Sequence, residues 1–460
     1  MGSEHGRGDI RVAADLLQHL EAIHIGEADI EDDDVGELRR TYAMPCAPLA
    51  AWATSESGKR KVKVSDTTFP LSGSSSMTST RIGDYMFLPA GIACFEPNVH
   101  GRRYDSQGLR EEHGVADAVL RVGAIVAGAN TRLRHIPGLN AIDGVAVVAV
   151  CNRSEASGRR VADEFGFTRV ETDPEALFRD PEIDAICIGT WPYRHKEYAV
   201  QALEAGKHVL CEARMAMDAS EARAMLAAAE ARPDLVAMLV PGPFDLRSWR
   251  TIQRVVGDGL LGEVREVHAT VLSAGALVPE APLHWREQSE FSGTNAMTVG
   301  IYAEVVHRWL GPTEWVMADA TTYVTNRLDE HGQRVTLDVP DSLGILARMA
   351  NGARAVYRVS TVAHASRDAN GVSIFGSRGT LHCSADDSMT FAAYGEQARP
   401  LSPDPGTEGR WNVEADFVAS IREGKPVELT SFADGLRYMQ FTEAVWRSWR
   451  ERRPVALASV

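Results

Sequence analysis

Apolar residues recur along this chain in two rhythms. Between 119 and 240 they form short, nearly continuous runs: Leu120–Val126, Val145–Cys151, Ile183–Gly189, His208–Cys211 and Leu235–Val240. Runs of that length without polar alternation suit strands buried on both faces. Glu155–Phe165, His195–Ala205 and Ala219–Ala231 lie between them with a helical repeat. The alternation predicts a doubly wound parallel sheet covered by helices, an α/β fold. From 241 the runs lengthen and turn back on themselves: Val264–Leu272, Trp315–Asn326, Asp341–Met349, Ala353–Val362, Gly371–Phe375 and Thr380–Cys383. Asn351-Gly352 is a strong hairpin signal between two of them. A helical stretch around Thr298–Leu310 interrupts the strands, and a last helix is predicted from Phe432 to Arg452. The second half therefore reads as an α+β domain with an open, mostly antiparallel sheet.

The first 118 residues follow neither rhythm. Val12–Ile25 carries an amphipathic stripe (Leu16, Leu17, Leu20, Ile23), and Glu31–Asp34 puts negative charge where a helix would start. Lys59–Val64 alternates like a solvated edge strand, and Leu71–Ser76 reads as a loop. Tyr85–Pro97 is apolar enough to pack, so 1–118 is expected to be an arm on a neighbouring subunit or a lid.

Length and charge narrow the class. A chain of 460 residues exceeds one core, so 1–118, 119–240 and 241–460 are taken as extension and two domains. A net charge of −15 argues against nucleic acid or an anionic membrane as partner. Cys46, Cys94, Cys151, Cys187, Cys211 and Cys383 form no CxxC pair, which fits a reducing, cytoplasmic setting. The start of the chain lacks the apolar segment of a signal peptide, and no run is long enough to span a bilayer.

The candidate chemistry lies at the strand ends. Arg121–Asn130 is a strand breaking into a small-residue turn, and Ala127, Gly128, Ala129 and Asn130 are placed to face a pyrophosphate. Val126 and Thr131 stand where GxGxxG has its first and third glycines. Val is β-branched and resists positive φ, so a wider turn is expected. A plain strand-to-helix turn is the competing reading. The second strand ends in Asn152, Arg153 and Ser154 rather than in the acid that grips a ribose. Arg153 and Ser154 suit a 2′-phosphate, which favours NADP over NAD, although an Arg in a solvent-facing loop is common. The fourth strand runs into Thr190, Trp191 and Pro192, with His195 in the helix that follows, where a purely structural His is also common.

These segments, in this order, resemble the family of glucose–fructose oxidoreductase, inositol dehydrogenase and MocA. Further segments carry the resemblance: Gly206–Glu212, Gly259–Glu263, Trp285-Arg286 with Gly293–Tyr302, Gly376–Leu381 and Asp416-Phe417 with Ile421–Pro426. It covers 119–458. It implies a Rossmann domain followed by a domain with an open sheet, a nicotinamide in the cleft between them, a sugar-like or other small polar substrate, and a homo-dimer or homo-tetramer. Two motifs depart from the family. Its Glu-Lys-Pro is Glu212-Ala213-Arg214 here, and its Asp and His are Thr298 and Tyr302. Ala213 cannot take over proton transfer from a lysine. Tyr302 matches the tyrosine that glucose–fructose oxidoreductase uses as acid or base, with Arg214 the candidate cation beside it.

The expected catalytic set is Tyr302, His195, Arg214 and His284, with the last three orienting substrate or shaping the field. The expected cofactor contacts are Ala127–Asn130, Asn152–Ser154, Thr190, Trp191, Pro192, Glu212 and Arg286. No metal is expected, because Glu304 and His307 read as a surface pair without a third ligand. His364 is left facing either the cleft or an interface. The leading function is an atypical NADP-dependent oxidoreductase acting on a carbonyl, imine or secondary alcohol. A non-redox enzyme on the same fold (elimination, hydrolysis or cyclisation) and a non-catalytic partner subunit are the alternatives.

Overall fold

The computed structural model describes residues 119–460 apart from Thr168, Pro279, Glu280, Ala365, Arg367 and Ala369. The readings made for 1–118 lie outside the described residues.

Six parallel strands form the first sheet: β1 (Leu120–Ile125), β2 (Val145–Cys151), β3 (Arg169–Glu171), β4 (Ala185–Ile188), β5 (His208–Cys211) and β6 (Ala237–Leu239), in the order β3-β2-β1-β4-β5-β6. The order reverses direction between β1 and β4, which opens a crevice at their carboxyl ends. Val122, Ile186 and Leu210 are buried, as strands covered on both faces require. The helices are α1 (Ile136–Asn140), α2 (Glu155–Phe165), α3 (Glu175–Phe178), α4 (Pro192–Glu204), α5 (Ala219–Glu230) and α6 (Trp249–Gly257). Ser154 and Asp218 accept N–H bonds at the starts of α2 and α5, which fixes both boundaries.

The second sheet has nine strands. β7 (Val264–Leu272) lies near its middle, beside β12 (Arg354–Ser360) in parallel and β13 (Gly371–Gly376) in antiparallel register. β8 (Thr313–Thr321) and β11 (Ser342–Met349) continue one side, ending on β17 (Val455–Ala456). β14 (Gly379–Ser384), β15 (Met389–Ala393) and β16 (Arg399–Leu401) continue the other. A small hairpin, β9 (Asn326–Leu328) with β10 (Arg334–Thr336), stands apart. β11 and β12 pair through Asn351-Gly352, with Gly352 at φ +85°. The fold is thus a Rossmann-type sheet followed by an open, mostly antiparallel one.

Four helical segments join the sheets: α7 (Ser289–Ser292), α8 (Val299–Leu310), α9 (Val413–Glu423) and α10 (Phe432–Glu451). α8 is buried almost all round, and Ile301 and Val305 enter the main hydrophobic core. This corrects the surface reading of Glu304 and His307. Glu304 is buried against Arg308 and the Thr430 hydroxyl, while His307 Nε2 meets Thr313 Oγ1 at 3.0 Å. His364 lies beyond the end of β12 and is exposed.

Candidate functional site

The carboxyl ends of β1, β2, β4 and β5 converge on the turn after β1. Val126 takes φ +56°. Val126 thus takes the positive φ that its branched side chain resists: β1 is held to the C-terminal end of β2 by Val126 N–H on the Cys151 carbonyl, 2.7 Å, and the chain must still bend there. The opposing strand end gives way instead. A Cβ on Gly189 would lie 2.3 Å from the Val126 carbonyl oxygen and 2.2 Å from Thr131 Oγ1, so only glycine fits. Asn152 is buried, and its Oδ1 accepts from Ala127 N–H at 3.0 Å. Its side-chain oxygen thus secures the turn rather than a ribose. Arg153 and Ser154 are exposed beside it, and Ser154 also caps α2.

The helix leaving this turn bonds Arg132 N–H to the Gly128 carbonyl at 2.9 Å. Ala129, Asn130 and Thr131 therefore supply its opening N–H donors, which have no earlier carbonyl within the helix. Such donors attract phosphate. Among the described residues, the buried hydroxyls of Thr131, in the helix after that turn, and Thr190, just beyond β4, have no hydrogen-bond partner. A pyrophosphate with its adjoining ribose and nicotinamide fits this donor set.

The helix then widens into a π turn, Thr131–His135, before α1. It delivers His135 into the interior, where Nε2 lies 2.9 Å from Glu212 Oε1 and Nδ1 lies 2.6 Å from Glu414 Oε1. Asn130 Nδ2 also donates to Glu212, and Ala213 N–H donates to its other oxygen at 3.2 Å. Trp411 Nε1 donates to Glu414. Burial by itself would lower the His135 pKa, but the hydrogen bonds and charges of the two carboxylates raise it to about 9. Burial would raise Glu212, and the His135 contact, Asn130 and the Ala213 N–H bring it down to about 2. The side chains of Glu212 and Asn130 are thus committed inside the domain, which corrects their reading as direct cofactor contacts. His135 and Glu414 went unnoticed in the sequence. One sits in the helix after the turn, where a signal existed, but its partner is 279 positions away.

His195 is also corrected. It is fully buried, with Nδ1 2.8 Å from the Arg214 carbonyl oxygen and Nε2 2.7 Å from that of Thr190. Burial lowers its pKa, partly opposed by those carbonyls. It braces the β4 and β5 loops against each other and has no nitrogen left for substrate. The Ala213–Arg214 peptide bond is cis.

The far wall comes from the second domain. The glycine-rich turn before α8 lies on the loop after β5: Thr294 N–H bonds the Met217 carbonyl at 2.8 Å, and Asn295 Nδ2 bonds that of Ala216 at 2.9 Å. Trp285 stacks on Trp191, centroids 5.3 Å apart and 12° from parallel, which sets His284–Arg286 against the β4 loop. Phe291 meets Trp191 edge-on, and the Arg286 guanidinium lies 4.2 Å from the Trp285 ring centre. His284 Nδ1 accepts from Arg286 N–H at 3.2 Å, so the neutral ring carries its proton on Nε2. Pro192 is buried at the start of α4.

Tyr302 is 7 % exposed, its ring 5.0 Å from Phe244. Burial, with Cys383 adding to it, pushes the phenol well above its ordinary pKa. The expected pairing with Arg214 is corrected. A Cβ on Gly300 would meet Arg214 Cδ at 3.0 Å, so Arg214 lies across the start of α8, and its charge acts on Tyr438.

Residues 120–239 match the oxidoreductase family with the NAD-binding Rossmann fold (GFO_IDH_MocA), and 249–382 match the GFO/IDH/MocA C-terminal domain. The chain belongs to this family. It is 26% identical over 344 residues to levoglucosan dehydrogenase of Pseudarthrobacter phenanthrenivorans, covering 66% of this chain and 86% of that one. It is 28% identical over 344 residues to dTDP-3,4-didehydro-2,6-dideoxy-alpha-D-glucose 3-reductase of Streptomyces antibioticus, covering 72% and 98%. Among solved structures, an oxidoreductase domain protein from Kribbella flavida superposes with a TM-score of 0.67 at 26% identity, over 74% of this chain and 99% of the other. Levoglucosan dehydrogenase in complex with NADH and L-sorbose gives 0.66 at 24% identity, over 74% and 98%, a likeness of fold. The chain is an oxidoreductase of this NAD(P)-binding family. No helix among the described residues is long and apolar enough to cross a membrane.

Proposed function

We propose that this oxidoreductase uses NADP in preference to NAD and reduces a carbonyl, or oxidises the corresponding alcohol, on a small sugar-like substrate. The observation that carries the reading is the set of opening N–H donors at 129–131 beside the unpartnered hydroxyls of Thr131 and Thr190. When bound, the nicotinamide supplies or takes up a hydride. Ala127–Ala129 and the Asn130 backbone receive the pyrophosphate, while Thr190, Trp191 and Pro192 line the nicotinamide side. Arg153 and Ser154, at a strand end without a carboxylate, favour a 2′-phosphate.

With Ala213 in place of lysine, the proton falls to another group. Burial keeps Tyr302 neutral, and it is the group that would donate to a substrate oxygen. His284, with its proton on Nε2, and Arg286 orient the substrate from the second wall, and Arg214 contributes positive field. The sheet face around β8 and β11, where Met317 and Leu346 are exposed, is the proposed contact in a homo-dimer or homo-tetramer.

Calorimetric titration with NADPH and NADH, followed by nicotinamide absorbance with sugars, ketoses and lactones, tests the reading. NADPH binding tighter than NADH, with turnover of at least one polyhydroxy substrate, supports it. Binding without turnover would move the assignment to non-redox chemistry. Tyr302→Phe is expected to lower turnover by about 10²-fold, and an unchanged rate would remove Tyr302 as proton donor.

A further inference from the structure

We propose that His135 is a positioning residue for the dinucleotide turn. Clamped between Glu212 and Glu414, it holds the Glu212 carboxylate where that group fixes Asn130 and the Ala213 N–H. Cofactor affinity then depends on the clamp remaining hydrogen-bonded at both ends. The inference rests on the cofactor reading above.

The geometry, together with the charge of the two carboxylates, favours a doubly protonated ring. Each ring nitrogen faces a carboxylate oxygen, at 2.9 Å and 2.6 Å. A carboxylate only accepts, and a neutral imidazole has one N–H, so the imidazolium meets both contacts with neither carboxyl protonated. The ring is fully buried, where two carboxylates cannot share a site without a cation between them. The groups facing it from each packed element are few. Glu212 comes from the end of β5 and Glu414 from α9. Asn130 Nδ2 approaches Nε2 to 3.4 Å from the turn itself, and the Trp411 ring lies 6.1 Å away under the Arg134 guanidinium. Behind them, burial raises the Cys187 thiol of β4 well above its ordinary pKa, and both carboxylates add to this.

Each end of the clamp has a mechanical consequence. Asn130 belongs to the opening turn whose N–H groups form the phosphate site, and its side chain is tied to Glu212. Ala213 leads into the loop carrying Arg214, and its N–H is tied to the other Glu212 oxygen. Glu414 fixes the clamp from outside the sheet. It reaches His135 because Gly138 leaves room, since a Cβ there would lie 2.9 Å from Glu414 Cδ. Loss of the ring proton leaves one N–H for two carboxylates. Glu212 is then repelled, and the turn and the loop lose their common anchor. A simple internal staple would change stability alone, whereas a positioning residue changes cofactor affinity in protein that remains folded.

The test uses the full chain with ¹³C-labelled histidine. NMR follows the His135 ring, assigned by its loss in His135→Gln, and fluorescence titration measures NADPH and NADH affinity from about pH 6 to about pH 10. The ring is expected to titrate well above an ordinary histidine, and the dissociation constant to rise about tenfold or more with the same midpoint. Glu414→Gln is expected to lower both midpoints together. It retains the shape of the side chain and one acceptor oxygen, so it serves if His135→Gln folds poorly. A ring that titrates at its ordinary value overturns the proposal. So does a Glu414→Gln variant whose ring midpoint moves while affinity does not. A chain that binds neither NADPH nor NADH overturns the cofactor reading and this inference with it. A chain that binds one of them, indifferent to the ring's titration, overturns this inference alone.

Discussion

At Val126 a β-branched residue holds φ +56°, a conformation that costs such a side chain on the order of 1–3 kcal/mol. Its N–H is bonded to the Cys151 carbonyl at the end of β2. Val126→Gly should therefore raise the unfolding free energy by about 1 kcal/mol in urea denaturation. A fall would mean that the packing of Val126 on the core outweighs its strain. Asn152 makes the opposite case, because its value lies in one bond to Ala127 N–H. Asn152→Ala leaves that N–H without its acceptor, at a cost of about 1–3 kcal/mol. It should also weaken cofactor binding, read in the same titration that measures the wild type.

Among the elements, the glycine-rich turn before α8 packs directly on the loop after β5. Gly293 has φ +62°, and a Cβ there would lie 2.0 Å from the Met217 carbonyl oxygen. Gly293→Ala should separate the turn from the loop after β5, destabilise by about 1–3 kcal/mol and raise KM more than it lowers kcat. An unchanged KM would show that the turn does not set substrate access. Elements with a clear period were legible in the sequence: α2 and β7 begin and end where their apolar patterns do. β3 was missed because Arg169-Val-Glu171 is three residues long and half-buried at a sheet edge, with no run to detect. Part of the site was legible too, since the turn after β1 follows the strand that its sequence predicts. The roles of individual polar side chains were not. Asn130, Glu212 and His195 turn inward because of partners 82, 77 and 19 positions away, and sequence order does not encode such distances.

Across the whole molecule, α10 ties the two sheets together. Ser431 bridges to Met238 of the first sheet, Tyr438 Oη accepts from Met215 N–H at 2.7 Å, and Ser448 Oγ accepts from Ala318 N–H of β8 at 3.0 Å. Calorimetry on residues 119–460 should accordingly show one unfolding transition, and two separated transitions would refute coupling through α10. The pH dependence of that transition follows from the buried clamp. His135 is raised from 6.5 to about 9, so its contribution is fully present below about pH 6.5 and is lost as pH rises through about 9. Glu212 is lowered from 4.5 to about 2, so its contribution is present above about pH 4.5 and is lost as pH falls through about 2. The thermal midpoint should be highest between these limits, and His135→Gln should remove the alkaline decline.

The Trp191–Trp285 stack joins one indole from each domain. Two coupled indoles form a single optical unit whose near-ultraviolet circular dichroism depends on their separation and tilt. Any opening of the cleft must pull them apart. The protein therefore contains its own label-free gauge of domain closure, readable in a stopped-flow cell while substrate enters and product leaves.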